Sequence, residues 1–211
     1  MAERVQRISD IPLYSSYLLP TSSAALAADS YKMFQTNLGA TGQGFSSALT
    51  IAETNLRTAG QLPNEIGFLI EAIGIHIPRL FFLDTSSSAE DASRVPQWVD
   101  LLMFGGSIRF ETPEYQEDLG LAGFFPPGLG IVNQAVAATF GTWTTNASGP
   151  AQSGSPNLTA RANLQNPIEL KKGTAFTFNY VVPTALTLTG CAQDIRLMTI
   201  LFGRRTGLLN N

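Results

Sequence analysis

Apolar residues alternate with polar ones along much of the chain, and this period of two predicts β-strands. The clearest example is the segment 168–182, where the alternation resumes in the same phase after Lys172-Gly173 and predicts a hairpin. Its apolar face, which we expect to line the interior, holds Ile168, Leu170, Phe176, Phe178, Tyr180 and Val182. The segments 184–189 and 195–202 have the same character and predict two further strands.

Two other segments have apolar patterns of a different kind. Residues 66–77 (IGFLIEAIGIHI), bounded by Pro63 and Pro78, are apolar at both alternating sets of positions, which predicts a strand covered on both faces. Residues 98–111 are predicted to be a strand with one buried and one wetter face, and Gly105-Gly106 marks a bulge or bend in it.

The first 60 residues differ from the rest, because the segments 24–28 and 46–56 have mild helical spacing and no strand pattern. We therefore predict an N-terminal arm, residues 1–60, with one or two short helices. Residues 61–211 are predicted to form a β-sandwich with a long irregular insertion around 113–167. Short strands with one long connection are typical of an all-β fold, specifically a single jelly-roll β-sandwich with an extended arm.

Composition narrows the class of protein. The chain has 211 residues, enough for one domain, and only 14% of them are charged, against about 25% in typical proteins. Such a low charge content suggests that much of the surface contacts other protein. The net charge of −3 argues against strong nucleic-acid binding and against a polybasic membrane anchor.

The lengths of the apolar runs indicate where in the cell the protein is made. Residues 1–20 contain no apolar run long enough for a signal peptide, so synthesis in a cytoplasm is expected. No stretch reaches 18 apolar residues, and we predict no transmembrane segment.

Most signatures of catalysis are missing from the sequence. The Gly-rich segment 39–44 lacks the Gly-Lys-Ser/Thr ending of a phosphate-binding loop, so a flexible loop is the favoured interpretation. His76 lies in the most apolar strand and is interpreted as a core histidine, although a group titrating near pH 6.5 at an interface is an alternative. Cys191 has Asp194 nearby and no base, which favours a structural thiol. One Cys and one His cannot form a zinc, haem or iron–sulfur site. We predict no catalytic, cofactor-binding or metal-binding residue.

The strongest enzymatic alternative uses two carboxylates. Glu71 and Asp100 each lie in an otherwise apolar segment, and glycosidases on related sandwiches use paired acids of this kind. The favoured interpretation is structural: each acid pairs with an arginine, for which Arg79, Arg94 and Arg109 are candidates, or faces a subunit boundary.

Two weaker ligand hypotheses remain. Trp98 and Trp143 are too few and too far apart to indicate a sugar-binding platform. The carboxylates of residues 84–91 lack the spacing and the glycine of a calcium loop, so a solvated loop is expected there.

Three stretches, taken in order, carry a resemblance to a known family. They are Thr54-Asn55-Leu56 with Ala59-Gly60-Gln61-Leu62-Pro63 and 68–75; Asn166-Pro167-Ile168-Glu169-Leu170 with Gly173 and Phe176-Thr177-Phe178; and 195–205, which ends in Gly203-Arg204-Arg205. In this order they resemble coat proteins of tailless icosahedral bacterial and archaeal viruses, the jelly-roll lineage that includes the double jelly-roll capsids.

The resemblance implies a structural capsid protein with one jelly roll per chain and no catalytic residues. It implies self-assembly into trimers, hexamers or pseudo-hexameric capsomers, alone or with a second coat protein. The expected location is the virion, after synthesis in the host cytoplasm, and contact with an internal membrane is a further expectation. The chain lacks the Arg-rich arm of small RNA-virus coats. A carbohydrate-binding or fibre-head module is the main alternative function, and an enzyme on the same fold is the next.

Overall fold

The structure is a computed structural model, which describes residues 11–64, 66–77, 95–127, 131–132, 152–153, 162–191 and 193–206. The long strands are β1 (Leu13–Leu19), β3 (Asp29–Met33), β4 (Gly67–His76), β5 (Ser107–Glu111), β6 (Gln116–Leu121), β9 (Ala162–Leu170), β10 (Thr177–Val182) and β12 (Ile195–Thr206). Four two-residue strands are β2 (Ala25–Leu26), β7 (Ile131–Val132), β8 (Gln152–Ser153) and β11 (Leu186–Thr187). The helices are α1 (Val95–Gly105) and a 3-10 turn at Ala122–Phe124.

The eight long strands form two antiparallel four-stranded sheets. The first sheet has the order β1-β12-β4-β9 and the second the order β3-β10-β5-β6, while β2 pairs with β11 and β7 with β8. When the eight long strands are numbered one to eight along the chain, their order is 1-8-3-6 in the first sheet and 2-7-4-5 in the second. This order is that of a jelly roll, in which the chain repeatedly crosses between two packed sheets. The predicted all-β fold, a single jelly-roll β-sandwich, is confirmed.

The core lies between the two sheets and is rich in aromatic side chains. Phe34, Phe110 and Phe176 surround Phe178, and the ring centroid of Phe178 is 4.9 Å from that of Phe110, 5.8 Å from that of Phe34 and 6.5 Å from that of Phe176. Phe176, Phe178, Tyr180 and Val182 are all buried, as the alternation predicted. Tilted and edge-on aromatic pairs of this kind add to the stability that area burial alone supplies.

The predicted hairpin between residues 168 and 182 is wrong, although both of its strands exist. β9 pairs with β4 in the first sheet, whereas β10 pairs with β3 and β5 in the second. Gly173 does form a turn, with φ of 66°, but the turn carries the chain across the sandwich. Alternation reports which face of a strand is buried and not which strand lies beside it, so both arrangements have the same sequence signature.

The segment 98–111 is also corrected, because its first part is helical. α1 ends at Gly105, and β5 begins only at Ser107. Trp98 and Leu102, four residues apart, share the buried face of the helix. Positions four apart are in phase for a strand as well as for a helix, which explains the error. The hydroxyl of Tyr180 donates to the carbonyl of Leu102 (2.5 Å) and ties the helix to β10.

The first 60 residues differ from the predicted arm over their described part. β1 pairs along its whole length with β12, and β3 pairs with β10, so residues 13–33 contribute a strand to each sheet. No helix occurs in the described residues 11–64. Residues 1–10 lie outside the described residues. Leu19, Leu26 and Met33 are fully buried, because this segment does have a face in the core.

Other strand predictions agree with the structure. In β4, Ile70, Ala72, Ile73 and Ile75 are buried, so both alternating sets contribute covered positions. β11 and β12 occur where the segments 184–189 and 195–202 predicted them. The segment 113–167 differs in its described part from the predicted irregular insertion, because it holds β6 and the start of β9, which belong to the two main sheets.

Candidate functional site

The two candidate carboxylates belong to different elements and contact different partners. Glu71 lies at an irregularity in the pairing of β4 with β12, and its Oε1 accepts from Nε of Arg204 (2.8 Å). This arginine was not among the partners expected from the sequence, since the strand register alone brings it there. Asp100 is exposed on α1. The structure therefore pairs Glu71 with Arg204 and does not pair it with Asp100.

His76 lies in β4 opposite Met198 of β12. Its pKa is lowered to about 4, chiefly because burial disfavours the imidazolium and also because the Arg196 guanidinium repels it. His76 is thus neutral at pH 7, and protonation at mildly acidic pH is opposed by its surroundings.

Cys191 and Trp98 are both buried in the core. The thiol of Cys191 donates to the carbonyl of Gln193 (3.3 Å), and Nε1 of Trp98 donates to the carbonyl of Thr189 (3.0 Å). Both contacts help fix the connection between β10 and β12. Trp143 and the carboxylates of residues 84–91 lie outside the described residues.

The Gly-rich segment 39–44 covers the outer edge of β1. The carbonyl of Gln43 accepts from the amide of Leu18 (2.9 Å), and its side-chain Nε2 donates to the carbonyl of Ser16. The same Nε2 donates to Oγ of Ser15 (2.9 Å). Gly44 has φ of 82°, and a Cβ at this position would overlap the carbonyl oxygen of Leu18. The glycine is therefore required for the close approach of this segment to a strand edge.

Asn55 and Thr54 continue the cover toward the start of β1. Oδ1 of Asn55 accepts from the amide of Tyr14 (3.0 Å), and its Nδ2 donates to the carbonyl of Pro12 (2.7 Å). Oγ1 of Thr54 donates to the carbonyl of Tyr14 (3.2 Å). We call β1 with this cover, made by Gln43, Thr54 and Asn55, the sealed edge. An edge strand whose backbone groups are occupied cannot accept another strand.

An ion pair fastens the covering segment to the first sheet. The Arg196 guanidinium contacts Oε1 of Glu53 (3.2 Å) and donates to Oγ of Ser16 (3.0 Å) and to the carbonyl of Ala52. Burial alone would raise the pKa of Glu53, but hydrogen bonds from Thr50 and the charge of Arg196 lower it below its usual range. The carboxylate is thus held charged beside the guanidinium.

The opposite edge of the molecule is formed by β6 and has different chemistry. Glu114 and Glu117 flank Tyr115, whose pKa is raised by partial burial and by these two carboxylates. The Tyr115 ring is 47% exposed and packs edge-on against Phe110, with centroids 5.7 Å apart. We call Glu114, Tyr115 and Glu117 the acidic edge. Sequence reasoning missed it, although three carboxylates within residues 114–118 were a visible signal.

Asp118 differs from its neighbours on β6, because it is paired. Its Oδ1 accepts from Nε of Arg109 on β5 (2.6 Å). Among the described residues no cation forms such a pair with Glu114 or Glu117.

The described residues contain no candidate metal site and no candidate membrane-spanning helix. No group of three or more His, Cys, Asp or Glu residues in the described part of the chain is placed to hold a metal ion. None of the helices within the described ranges is both long and apolar enough to cross a bilayer. Comparison of the chain with protein-family models, with curated proteins and with solved structures found no match in any of the three.

Proposed function

We propose that this protein is a structural capsid protein that self-associates into the capsomers of an icosahedral shell. The observation that carries the proposal is the strand order 1-8-3-6 and 2-7-4-5, since a jelly roll of eight strands is a recurrent fold of viral coat proteins. The order of three sequence stretches that resembles such coats gives a second, independent line of support. Lectin domains and cupins share this architecture, so the fold alone does not assign a function. The chemistry of the surface is therefore used as further evidence.

The surface chemistry supports a role in assembly. Glu71, the better placed of the two candidate acids, is engaged by Arg204, and both side chains are partly exposed. Phe104 and Phe124 are large apolar residues that are more than half exposed. Exposed aromatic side chains and a low content of charge are common at protein–protein interfaces.

The alternative of a carbohydrate-binding or fibre-head module has less support. A sugar platform needs an accessible indole or phenol, and Trp98 is 1% exposed with its Nε1 used by Thr189. Among the tyrosines and tryptophans that the structure describes, Tyr115 is the one with an exposed side chain, so it is the residue there that this alternative can use. Glycan binding that is abolished by Tyr115→Ala would favour the module over the capsid protein.

The proposal is tested by the mass and shape of the purified protein. We expect light scattering at micromolar concentration to give a trimer, a hexamer or a larger particle, and negative-stain microscopy to show rings or shells. A protein that is a monodisperse monomer under these conditions, with and without added salt, contradicts the proposal. Co-purification of a second coat protein or of lipid from infected cells would identify the remaining partners.

A further inference from the structure

An arginine lies on the core-facing side of the first sheet where β12 ends. Arg205, the penultimate residue of β12, is directly opposite Phe68 of β4. Residues directly opposite each other in antiparallel strands share one face, and Phe68 is fully buried in the core. Arg205 itself is half-buried. The preceding residue, Arg204, lies on the other face of the sheet, where it contacts Glu71.

The connection between β3 and β4 brings a second arginine, Arg57, toward the same place. Asn55, two residues earlier, is hydrogen-bonded to the backbone at the start of β1. β1 begins with Leu13, opposite Leu201, whereas β12 continues to Thr206. The end of β12 therefore extends beyond the start of β1, and the chain that follows Asn55 leads to it.

The two guanidinium groups are near enough to repel each other. Burial lowers the pKa of Arg205, and the charge of Arg57 lowers it further, whereas a neighbouring carboxylate would raise it. Three of the five arginines in the described residues, Arg109, Arg196 and Arg204, have carboxylate partners. Arg57 and Arg205 form no ion pair with any carboxylate of the described residues.

The charge and the shape of this pair select the kind of ligand. A half-buried cation beside a second cation is unfavourable, and an anion that contacts both relieves the repulsion. Guanidinium groups bind oxyanions through parallel hydrogen bonds, and a phosphate group has enough oxygens to accept from both arginines. A phosphate group carries a charge of about −1.5 to −2 at neutral pH, which matches two cations better than a single carboxylate does. Arg57 is exposed, so the anion can enter from solvent.

We infer that Arg57 and Arg205 form a binding site for a phosphate dianion, either inorganic phosphate or the phosphate monoester of a lipid headgroup. Binding fastens the connection between β3 and β4 to the end of β12, because each element supplies one of the two arginines. The site goes beyond the proposed function and does not depend on it, since one chain supplies both residues.

Isothermal titration calorimetry with inorganic phosphate, at a mildly alkaline pH where the ion is a dianion, tests the site. The wild type is expected to bind, and Arg57→Gln and Arg205→Gln are each expected to bind about tenfold more weakly or worse, because each removes a charged donor. Arg204→Gln is the matched control: it removes the neighbouring cation on the other face and should change the affinity by less than about twofold. Thermal melting verifies that each variant is folded.

Three results overturn the inference. The wild type does not bind phosphate, or Arg57→Gln and Arg204→Gln weaken binding equally, or acetate binds as tightly as phosphate. The last result would mean that the pair does not select a dianion, because acetate carries a single charge. If Arg205→Gln does not fold, Arg57→Gln decides alone, since its side chain is exposed.

Vesicles distinguish the two sources of the phosphate group. Flotation with phosphatidylcholine vesicles that contain phosphatidic acid, whose headgroup is a phosphate monoester, assigns a lipid if Arg57→Gln abolishes it and Arg204→Gln does not. Binding of inorganic phosphate without retention on these vesicles assigns a soluble phosphate. The oligomeric state is measured separately, so a monomer that binds phosphate contradicts the capsid proposal alone, and an assembled protein that does not bind it contradicts this inference alone.

Discussion

The edges at β1 and β6 lie on opposite sides of the sandwich and are protected from unwanted pairing in different ways. At β1 the backbone groups are occupied by Gln43, Thr54 and Asn55, which come from the connection between β3 and β4. At β6 no side chain of the described residues covers the backbone in this way, and the strand instead carries exposed carboxylates. One edge is closed by hydrogen bonds and the other by charge.

This difference between the two edges affects stability. Hydrogen bonds to a strand edge are made once, within the subunit, and they remove that edge from any contact between strands. Charges repel a like edge but form no hydrogen bond to the strand that carries them. The sealed edge is therefore expected to contribute more to stability than the acidic edge.

The largest expected effect on the sealed edge is that of Gly44→Ala. The new Cβ would overlap the Leu18 carbonyl oxygen at a residue with positive φ, so the covering segment must move away from β1. We expect a loss of about 3 kcal/mol in the free energy of unfolding, measured by urea denaturation.

Gly39→Ala is the matched control for this substitution. Gly39 has a similar φ of 85°, but a Cβ there would have nothing within 4 Å. Its cost is the backbone conformation alone, about 1 kcal/mol. Equal losses for the two variants would mean that contact with β1 contributes nothing to stability.

Gln43→Ala tests the side-chain part of the sealed edge. The substitution removes the donor to the Ser16 carbonyl and to Oγ of Ser15, and it also removes the acceptor for the amide of Thr36. Leaving such buried groups unpaired is expected to cost about 2 kcal/mol. Gln116→Ala, on exposed β6, should change stability by less than about 0.5 kcal/mol. Equal losses in the free energy of unfolding for Gln43→Ala and Gln116→Ala would contradict this difference between the two edges.

His76, in β4 of the first sheet, should make the stability of the protein sensitive to acid. Its folded-state pKa of about 4 is below the ordinary value, so the unfolded chain binds the proton more tightly. The stabilising contribution is full above about pH 6.5 and is lost as the pH falls toward 4. We expect a loss of roughly 1 to 2 kcal/mol after allowance for solvent screening. His76→Gln should flatten this part of the stability curve, and parallel curves for wild type and variant would contradict the assignment.

The strands of the core were predictable from sequence, because their apolar side chains recur at every second position. In β10 the apolar residues Phe178, Tyr180 and Val182 are buried as predicted, but Thr177 and Asn179 on the opposite set are buried as well, which the alternation did not indicate. The neighbours of each strand were not predictable: the same alternation is compatible with a β9–β10 hairpin and with the crossover that the structure has. α1 was missed because Trp98 and Leu102 satisfy a helical and an extended pattern equally well.

The surfaces were less predictable than the core. Gln43 and Ser16 are 27 residues apart in the sequence, and nothing in either local pattern indicates that an amide will cover a strand edge. The acidic edge is local, so its carboxylates were visible. Their lack of partners in the described residues, in contrast to Asp118 beside them, depends on the register of β5 and β6.

The smallest expected effects concern two ion pairs, one near the edge at β1 and one at the edge formed by β6. Glu53→Gln breaks a pair in which Glu53 is 17% exposed, and Asp118→Asn breaks one in which Asp118 is 61% exposed. We expect losses at pH 7 of about 1 kcal/mol and below about 0.5 kcal/mol, respectively, because solvent screens the exposed pair. The lowered pKa of Glu53 also predicts the direction in which its contribution to stability changes with pH. Its contribution is present above the ordinary carboxyl pKa of about 4.3 and is lost as the pH falls through the folded-state value. Chemical denaturation should therefore show the difference between wild type and Glu53→Gln shrinking on acidification. A difference that grows below about pH 4 would mean that the carboxylate is not held charged by Thr50 and Arg196.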